Sequence, residues 1–590
     1  MDWRGLDTQS HSRPWQRVAW PLVVLLALLL HAPSLGGGFM ADDFGIQLVL
    51  DGRVESSTWK PWNLYDFGAL ADAPSGAVEQ GAFPWWTSAD WRLRFLRPLT
   101  SLSLWLDHGL FGASALAGHA VSMLLFAALL WAAHAVYLRL GLSPVAALLA
   151  LTVQACDTGS LMPVGWIANR NSLLEGLFAL LAVRAGLEAV QRASAGAAAA
   201  GFIFAALSVA SKESGVHAFL LLAWMFWRAR ARAPWMARAA AALVVCAGVY
   251  LIGYALAGYG SNAIFYPLPW CAPQIFAERA LTLAACAPLS VVSPFTADFV
   301  VLRPDLHVPI VLCALLFGGA VVCCIARRLR GDPRALLLLL WGTLALLPQA
   351  GTPPSDRLMF TPMIPWSALL ALYLTQLWSA RTRGEVGRPE RAMGGAILVG
   401  ASLLSSVALL MGGVALSSGA DTLRRAVSEA EVAAEEPGAR DAFLLQASPS
   451  ALMALSPGAA WVAQGGREDV RFHPLQSGQR SMAWIRTGPK SFALETRDGQ
   501  FLNNVFESVF LTRALRPNES IFVARSAYEL RGTADDRGAL LRIELELPSP
   551  LEDLRWRFLV YEDGRLQHRP PPAIGETIVV GPGFRNPLLP

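Results

Sequence analysis

Charge is scarce in this chain. Charged residues make up 16% of its 590 positions and hydrophobic residues 54%, whereas a soluble chain carries roughly 25% charge to cover its surface. The deficit excludes a soluble cytosolic enzyme, a disordered protein and a fibrous repeat. Lysine is scarcer still. Lys60, Lys212 and Lys490 are the only three, so nearly all basic charge is arginine. With a net charge of +4 there is no basic stripe for nucleic acid. Cysteine offers no framework either. The seven are odd in number, lie between Cys156 and Cys324 and sit in apolar runs, where they read as small core residues rather than disulfide partners. Internal repeats are missing, as are zinc-finger, P-loop, dinucleotide-binding and serine-hydrolase spacings.

What the chain does have is long apolar runs. Residues 18–35 form the first. Arg4, Arg13 and Arg17 precede it, and Leu35-Gly36-Gly37-Gly38 is a poor cleavage site, so it reads as an uncleaved helix with residues 1–17 in the cytoplasm. Further runs fall near 117–138, 144–161, 173–190, 197–210, 215–227, 238–257, 308–326, 335–350, 358–379 and 393–416. Arg139, Arg192, the segment Arg228 to Arg238, the cluster Arg327 to Arg334 and the cluster Arg381 to Arg391 follow alternate runs. If every run crosses, all five arginine loops land on one side, which the positive-inside tendency makes cytoplasmic. The expectation is about eleven transmembrane helices with the C-terminus outside. Residues 276–296 are apolar but hold Pro288 and Pro294. A crossing there would reverse the later arginines, so they read as an interfacial or re-entrant helix.

Two segments differ from the rest. Residues 36–98 form an outer loop with Trp59, Trp62, Trp85, Trp86 and Trp91, suited to interfacial anchoring or to stacking on sugar rings. From about Asp421 the composition turns soluble. Leu541, Ile543, Leu545 and Leu547 alternate with charged residues, Trp556, Phe558 and Val560 alternate likewise, and Asp563-Gly564 supplies a hairpin turn. This period-two pattern predicts antiparallel strands. The expected organisation is a transmembrane domain over 18–416 and an outer, β-rich domain over 417–590.

Five polar sets fall at the outer ends of the runs: Asp42-Asp43; Arg97 with Asp107-His108; Trp166 through Asn169-Arg170-Asn171; Ser211-Lys212-Glu213; and Ser355-Asp356-Arg357. Ionisable residues near lipid are costly and usually functional. Paired carboxylates there supply a general base or a metal ligand, and a histidine beside acids is a candidate metal ligand. Together the sets would line one cleft with several cations and carboxylates, which suits an anionic phosphate leaving group beside a base.

These residues also resemble a known family. The Asp-Asp pair after the first helix, the runs RPLTSLSLWLDHGLFG (97–112), GWIANRNSLLEGLFALLA (165–182), SKESG (211–215) and DRLMFTPMI (356–364) are similar, in order, to motifs of GT-C fold glycosyltransferases. The branch is that of the transmembrane O-mannosyltransferases that often carry tetratricopeptide repeats, with protein mannosyltransferases and the lipid A aminoarabinose transferase as broader relatives. A β-rich domain stands where the repeats would be, Asn169 where glycine is common and Ser172 where an acid is common. The resemblance implies a multi-pass protein of the bacterial inner membrane with a periplasmic C-terminal domain. It implies a polyprenyl-phosphate sugar donor and a protein, lipid or glycan acceptor. Asp42 would be the base, with Asp43 orienting it or sharing a metal. Arg97, Arg170, Lys212 and Arg357 would bind the donor phosphate, and His108, Asn169, Glu213 and Asp356 would support them. A divalent metal ion is left open as a cofactor. Two other classes compete: a transporter or flippase of envelope lipid or glycan, whose usual repeats and midplane helix breaks are not found here, and a non-catalytic envelope scaffold.

Overall fold

A computed structural model describes residues 14–53, 60–72, 83–430, 441–445, 457–477, 480–562 and 565–581. Helices occupy all eleven apolar runs. α1 (Pro14–His31) leads to the outer loop, which holds α2 (Asp42–Leu50), β1 (Asp66–Ala69), β2 (Arg92–Arg94) and α3 (Pro98–Phe111). The bundle continues as α4 (Ala115–Arg139), α5 (Pro144–Ala155), α6 (Leu161–Gly165), α7 (Asn171–Arg192), α8 (Ala195–Ser211), α9 (Val216–Arg228) and α10 (Pro234–Leu256). After β3 (Gly260–Ser261) come α11 (Pro273–Ser290), α12 (Thr296–Leu302), α13 (His307–Arg328), α14 (Pro333–Leu346), α15 (Phe360–Thr382), α16 (Arg388–Val399) and α17 (Ser405–Ser428).

Among the described residues, seven helices are long and apolar enough to cross a membrane. An eighth span results if α5 and Thr158–Gly165, which meet at 52°, count as one. Three of the eleven expected crossings, α7, α8 and α9, fall outside this set. α8 has 17 residues and α9 has 13, while α7 carries Glu175, Arg184 and Glu188. Most of α7 and α9 is buried among other helices, so their sequences answer to protein neighbours more than to lipid. The stretch 276–296 is helical in α11 and broken before α12. The run 97–112 does not lead unbroken into the next helix. Gly112 takes φ 61° and Ser114 caps α4, its Oγ accepting the Ala117 N–H, so α3 and α4 are separate.

The arginine loops meet at one end of the bundle. Arg334 donates to the Gly141 carbonyl and Arg232 to that of Val190. Arg139 pairs with Glu188, and Arg328 with Glu390. The β-rich region follows α17, which runs past the expected boundary at 416. Two sheets build it. One has six antiparallel strands in the order β13-β6-β7-β10-β9-β8, namely Thr577–Val580, Met482–Arg486, Ser491–Thr496, Leu540–Glu546, Glu529–Ala534 and Ser520–Ala524. The other has the order β12-β11-β4-β5, namely Arg565–His568, Trp556–Glu562, Asp441–Leu444 and Arg471–Pro474. In this second sheet β4 pairs with both neighbours in parallel, a departure from the expected antiparallel fold. The dipeptide Asp563-Gly564 lies outside the described residues, but Glu562 faces Arg565 across an antiparallel pair.

Alternation held only in part. In β10 the pairing with β9 shifts between Leu540 and Ile543, so both of these are buried and Leu541 is exposed. In β11 both faces are buried. Trp556, Phe558 and Val560 join the core shared with the six-stranded sheet, while Leu559 and Tyr561 pack toward Leu423, Val427 and Phe44. Three of the outer-loop tryptophans serve as core rather than as interfacial anchors or sugar platforms. Trp85, Trp86 and Trp91 are buried. Trp85 Nε1 donates to the Leu475 carbonyl and Trp91 Nε1 to that of Val509, and Trp91 stacks on Phe510. Trp62 is exposed, and Trp59 lies outside the described residues. The cysteines are all free, but only Cys156 and Cys286 are buried; Cys271, Cys313 and Cys323 are exposed.

Candidate active site

Ala41 sets the entrance to α2. Its φ of 47° and ψ of −116° are costly for a residue with a Cβ, and such strain concentrates at functional sites. It delivers Asp42 and Asp43 into different settings. Asp43 is buried. Its Oδ1 accepts the Ala168 N–H at 2.8 Å and its Oδ2 the Met40 N–H at 3.1 Å. Burial pushes its carboxyl up to about 8. Asp43 therefore clamps α2 to the 166–171 turn. Asp42 is half-buried and accepts no hydrogen bond among the described residues. Burial raises its pKa, while the neighbouring Arg357 and Arg97 guanidiniums pull it back down.

Two of the four expected phosphate-binding cations, Arg357 and Arg97, act electrostatically on Asp42, and both also act on a third, Lys212. Arg97 makes a two-pronged pair with Glu213, Nε to Oε2 at 2.9 Å and Nη2 to Oε1 at 2.7 Å, over the rings of Tyr65 and Phe95. Burial would raise the Glu213 carboxyl, but Arg97 outweighs it and holds the group low. Lys212 Nζ donates to Ser172 Oγ at 3.1 Å and to Gln349 Oε1 at 3.3 Å. Arg357 lies over the Trp166 ring at 5.7 Å and has no ion pair among the described residues. Lys212 feels both Arg97 and Arg357, so the three form one neighbourhood. The SKESG turn depends on Gly215, where a Cβ would sit 2.5 Å from the Ser208 carbonyl oxygen.

The fourth cation stands elsewhere. Arg170 is fully buried. It donates to the Asp107 carboxylate, to Ser122 Oγ and to the Gly118 carbonyl, so its donors bind the turn to α3 and α4 rather than facing the cleft. Asn169 is buried nearby, its Nδ2 without a partner. His108 contacts Gln47 at 3.2 Å and Asp51 at 3.4 Å. It lines an open groove with Phe39, Asp43, Gln47, Asp107 and Ile167. Asp356 caps α12, its Oδ2 accepting the Ala297 and Asp298 N–H groups; it braces the loop that carries Arg357.

Sequence reasoning missed Tyr266, whose phenol feels Arg357, Asp42 and Arg97 and is pushed up to about 12 by burial. A lone tyrosine in a loop carries no pattern to find it by. It also missed Glu175, which an acid inside an apolar run should have revealed. Among the described residues no group of three or more His, Cys, Asp or Glu is placed to hold a metal. In the Asp42-Asp43 pair each Asp43 oxygen accepts one backbone N–H, while the Asp42 carboxylate accepts none among the described residues.

No protein-family model and no curated protein matches the chain. Solved structures similar to it include the Archaeoglobus fulgidus oligosaccharyltransferase tethered to an acceptor peptide, at 11% identity and a TM-score of 0.40, and the same enzyme in its apo form at 12% and 0.40. Each alignment covers 78% of this chain but 64% of the archaeal one, so the chain spans less than two thirds of that enzyme's length. A third is ArnT from Cupriavidus metallidurans bound to undecaprenyl phosphate, at 14% identity and a TM-score of 0.36, covering 72% of this chain and 82% of that one.

Proposed function

We propose that this chain is an integral-membrane glycosyltransferase that moves a sugar from a polyprenyl-phosphate carrier to an acceptor hydroxyl. The reaction would take place at the end of the bundle opposite the arginine loops, on the periplasmic side of a bacterial inner membrane. One observation carries the reading: a half-buried aspartate without a hydrogen-bond partner among the described residues feels the charges of Arg357 and Arg97, which also act on Lys212. The order of the sequence motifs supports it independently.

In this mechanism Asp42 accepts the proton of the acceptor hydroxyl, and the oxygen attacks the anomeric carbon from the face opposite the phosphate. The bond from that carbon to the phosphate oxygen breaks, its electron pair leaves with the phosphate, and configuration inverts. Fixed cations aimed at growing charge in a dry site are the strongest lever available. Arg357 is the freest of the three. Arg97 is held in place by Glu213, and Lys212 by Ser172 and Gln349. Arg170 and Asp43 hold the scaffold of the cleft.

Purified protein in lipid, offered labelled polyprenyl-phosphate sugars and a periplasmic extract, should label acceptor and release polyprenyl phosphate. Movement of the intact lipid across the bilayer without transfer would replace this reading with a flippase.

A further inference from the structure

A buried acid lies behind the cleft that the proposed chemistry does not use. Glu175, on the first turns of α7, is fully buried. Its Oε2 lies 3.9 Å from Lys212 Nζ and accepts a hydrogen bond from Thr361 Oγ1 at 3.3 Å. Its Oε1 has no hydrogen-bond partner and lies 3.6 Å from His217 Nδ1. His217 does not balance the charge. Its Nδ1 stands 3.0 Å from the Ser214 carbonyl, which only an N–H can satisfy, and its buried Nε2 has no hydrogen-bond partner that a second N–H would need. The cation left for Glu175 is Lys212. Glu213, the neighbour of Lys212 in sequence, is engaged by Arg97 instead.

We propose that Glu175 is a positioning residue of the donor-phosphate site, acting through Lys212 by holding its ammonium charged at the floor of the cleft. The inference rests on the reading of that cleft as the donor site. The groups that face Lys212 are Glu175 on α7, Arg97 at the start of α3, Glu213 in its own turn and Arg357 before α15. Burial and the two arginines drive the ammonium toward losing its proton. Glu175 is the strongest of the opposing charges, ahead of Glu213. A buried carboxylate without a counter-ion is itself costly, so the two charges sustain each other.

The chain contains only three lysines, which makes the test direct. Amine labelling of Lys212 across the neutral to alkaline range, with Lys490 in the same molecules as internal reference, reads when Lys212 loses its proton. In full-length Glu175→Gln that midpoint should fall by about one pH unit or more, the equivalent of roughly tenfold in the protonation equilibrium. Binding of undecaprenyl phosphate should weaken at correspondingly lower pH than in wild type. Lys212→Arg in the Glu175→Gln background should restore binding at alkaline pH, because arginine keeps its charge. Should Glu175→Gln not insert, Glu175→Asp retains the charge at a greater distance and should shift the midpoint in the same direction by less. A Lys212 midpoint unmoved by either variant overturns the inference, whatever becomes of the donor reading. A midpoint moved by the variants, together with a wild-type protein that does not bind undecaprenyl phosphate, overturns the assignment of the site to that donor and leaves the ion pair standing.

Discussion

Adjacent aspartates have separate fates here because the backbone turns between them. Asp43 is consumed by two N–H donors, whereas Asp42 is left with cations nearby and nothing to accept. Asp42→Asn preserves volume but cannot take a proton, so transfer should fall by about 10²–10⁴, with insertion and folding intact. Asp43→Asn should instead show as lost stability, since an amide cannot accept both N–H donors through oxygen. The pH dependence follows from the sign of the Asp42 shift. Burial favours its neutral form, so it keeps its proton to higher pH than an exposed aspartate does, and only the ionised form acts as base. The acidic limb of the rate profile should therefore lie above the pH of about 4 at which a free aspartate titrates; a limb at that value would contradict the assignment. Arg170→Met strands Asp107 and removes three hydrogen bonds, two of them fully buried. It should cost about 3–5 kcal/mol of stability, read as a lowered unfolding temperature in detergent. These residues were legible in the sequence as a group, because charge near lipid is conspicuous. Their division of labour was not, because it depends on which donors the 166–171 turn turns inward.

At the scale of elements, the outer loop and the C-terminal sheets form one body. Ser88 N–H donates to the Phe510 carbonyl, Ile264 N–H to that of Leu511 and Phe265 N–H to that of Ser508, while Phe44 on α2 packs against the four-stranded sheet. The segment around 508–511 thus holds both the loop that precedes Arg97 and the strap that carries Tyr266. Trp91→Ala should cost about 3–5 kcal/mol, as for other buried tryptophans, and should open the outer loop to proteolysis before the helical bundle. Equal resistance in both proteins would mean that the loop holds itself. The helices were readable because an apolar run of sufficient length has few other fates. The role of the tryptophans was not, because composition marks an aromatic cluster without saying whether lipid, sugar or protein covers it. The extra parallel pairs in the second sheet left no trace in the alternation for the same reason. β11 is buried on both faces and its pattern no longer separates an inside from an outside.

For the whole molecule, polarity runs along the bundle axis. The arginine turns interlock at one end and the candidate cleft stands at the other. With the arginine end in the cytoplasm, a reporter that works only in the periplasm should be active when fused after Pro590, and one that works only in the cytoplasm should be silent. The measurement that bears most directly on the central claim is transfer of labelled sugar from polyprenyl phosphate by the purified protein, wild type beside Asp42→Asn. The expected result is labelled acceptor from the wild type and a loss of about 10²–10⁴ in the variant, with both proteins binding the donor. Near-wild-type transfer by Asp42→Asn would remove Asp42 as the base, and no transfer by the wild type with any such donor and extract would contradict the glycosyltransferase reading itself.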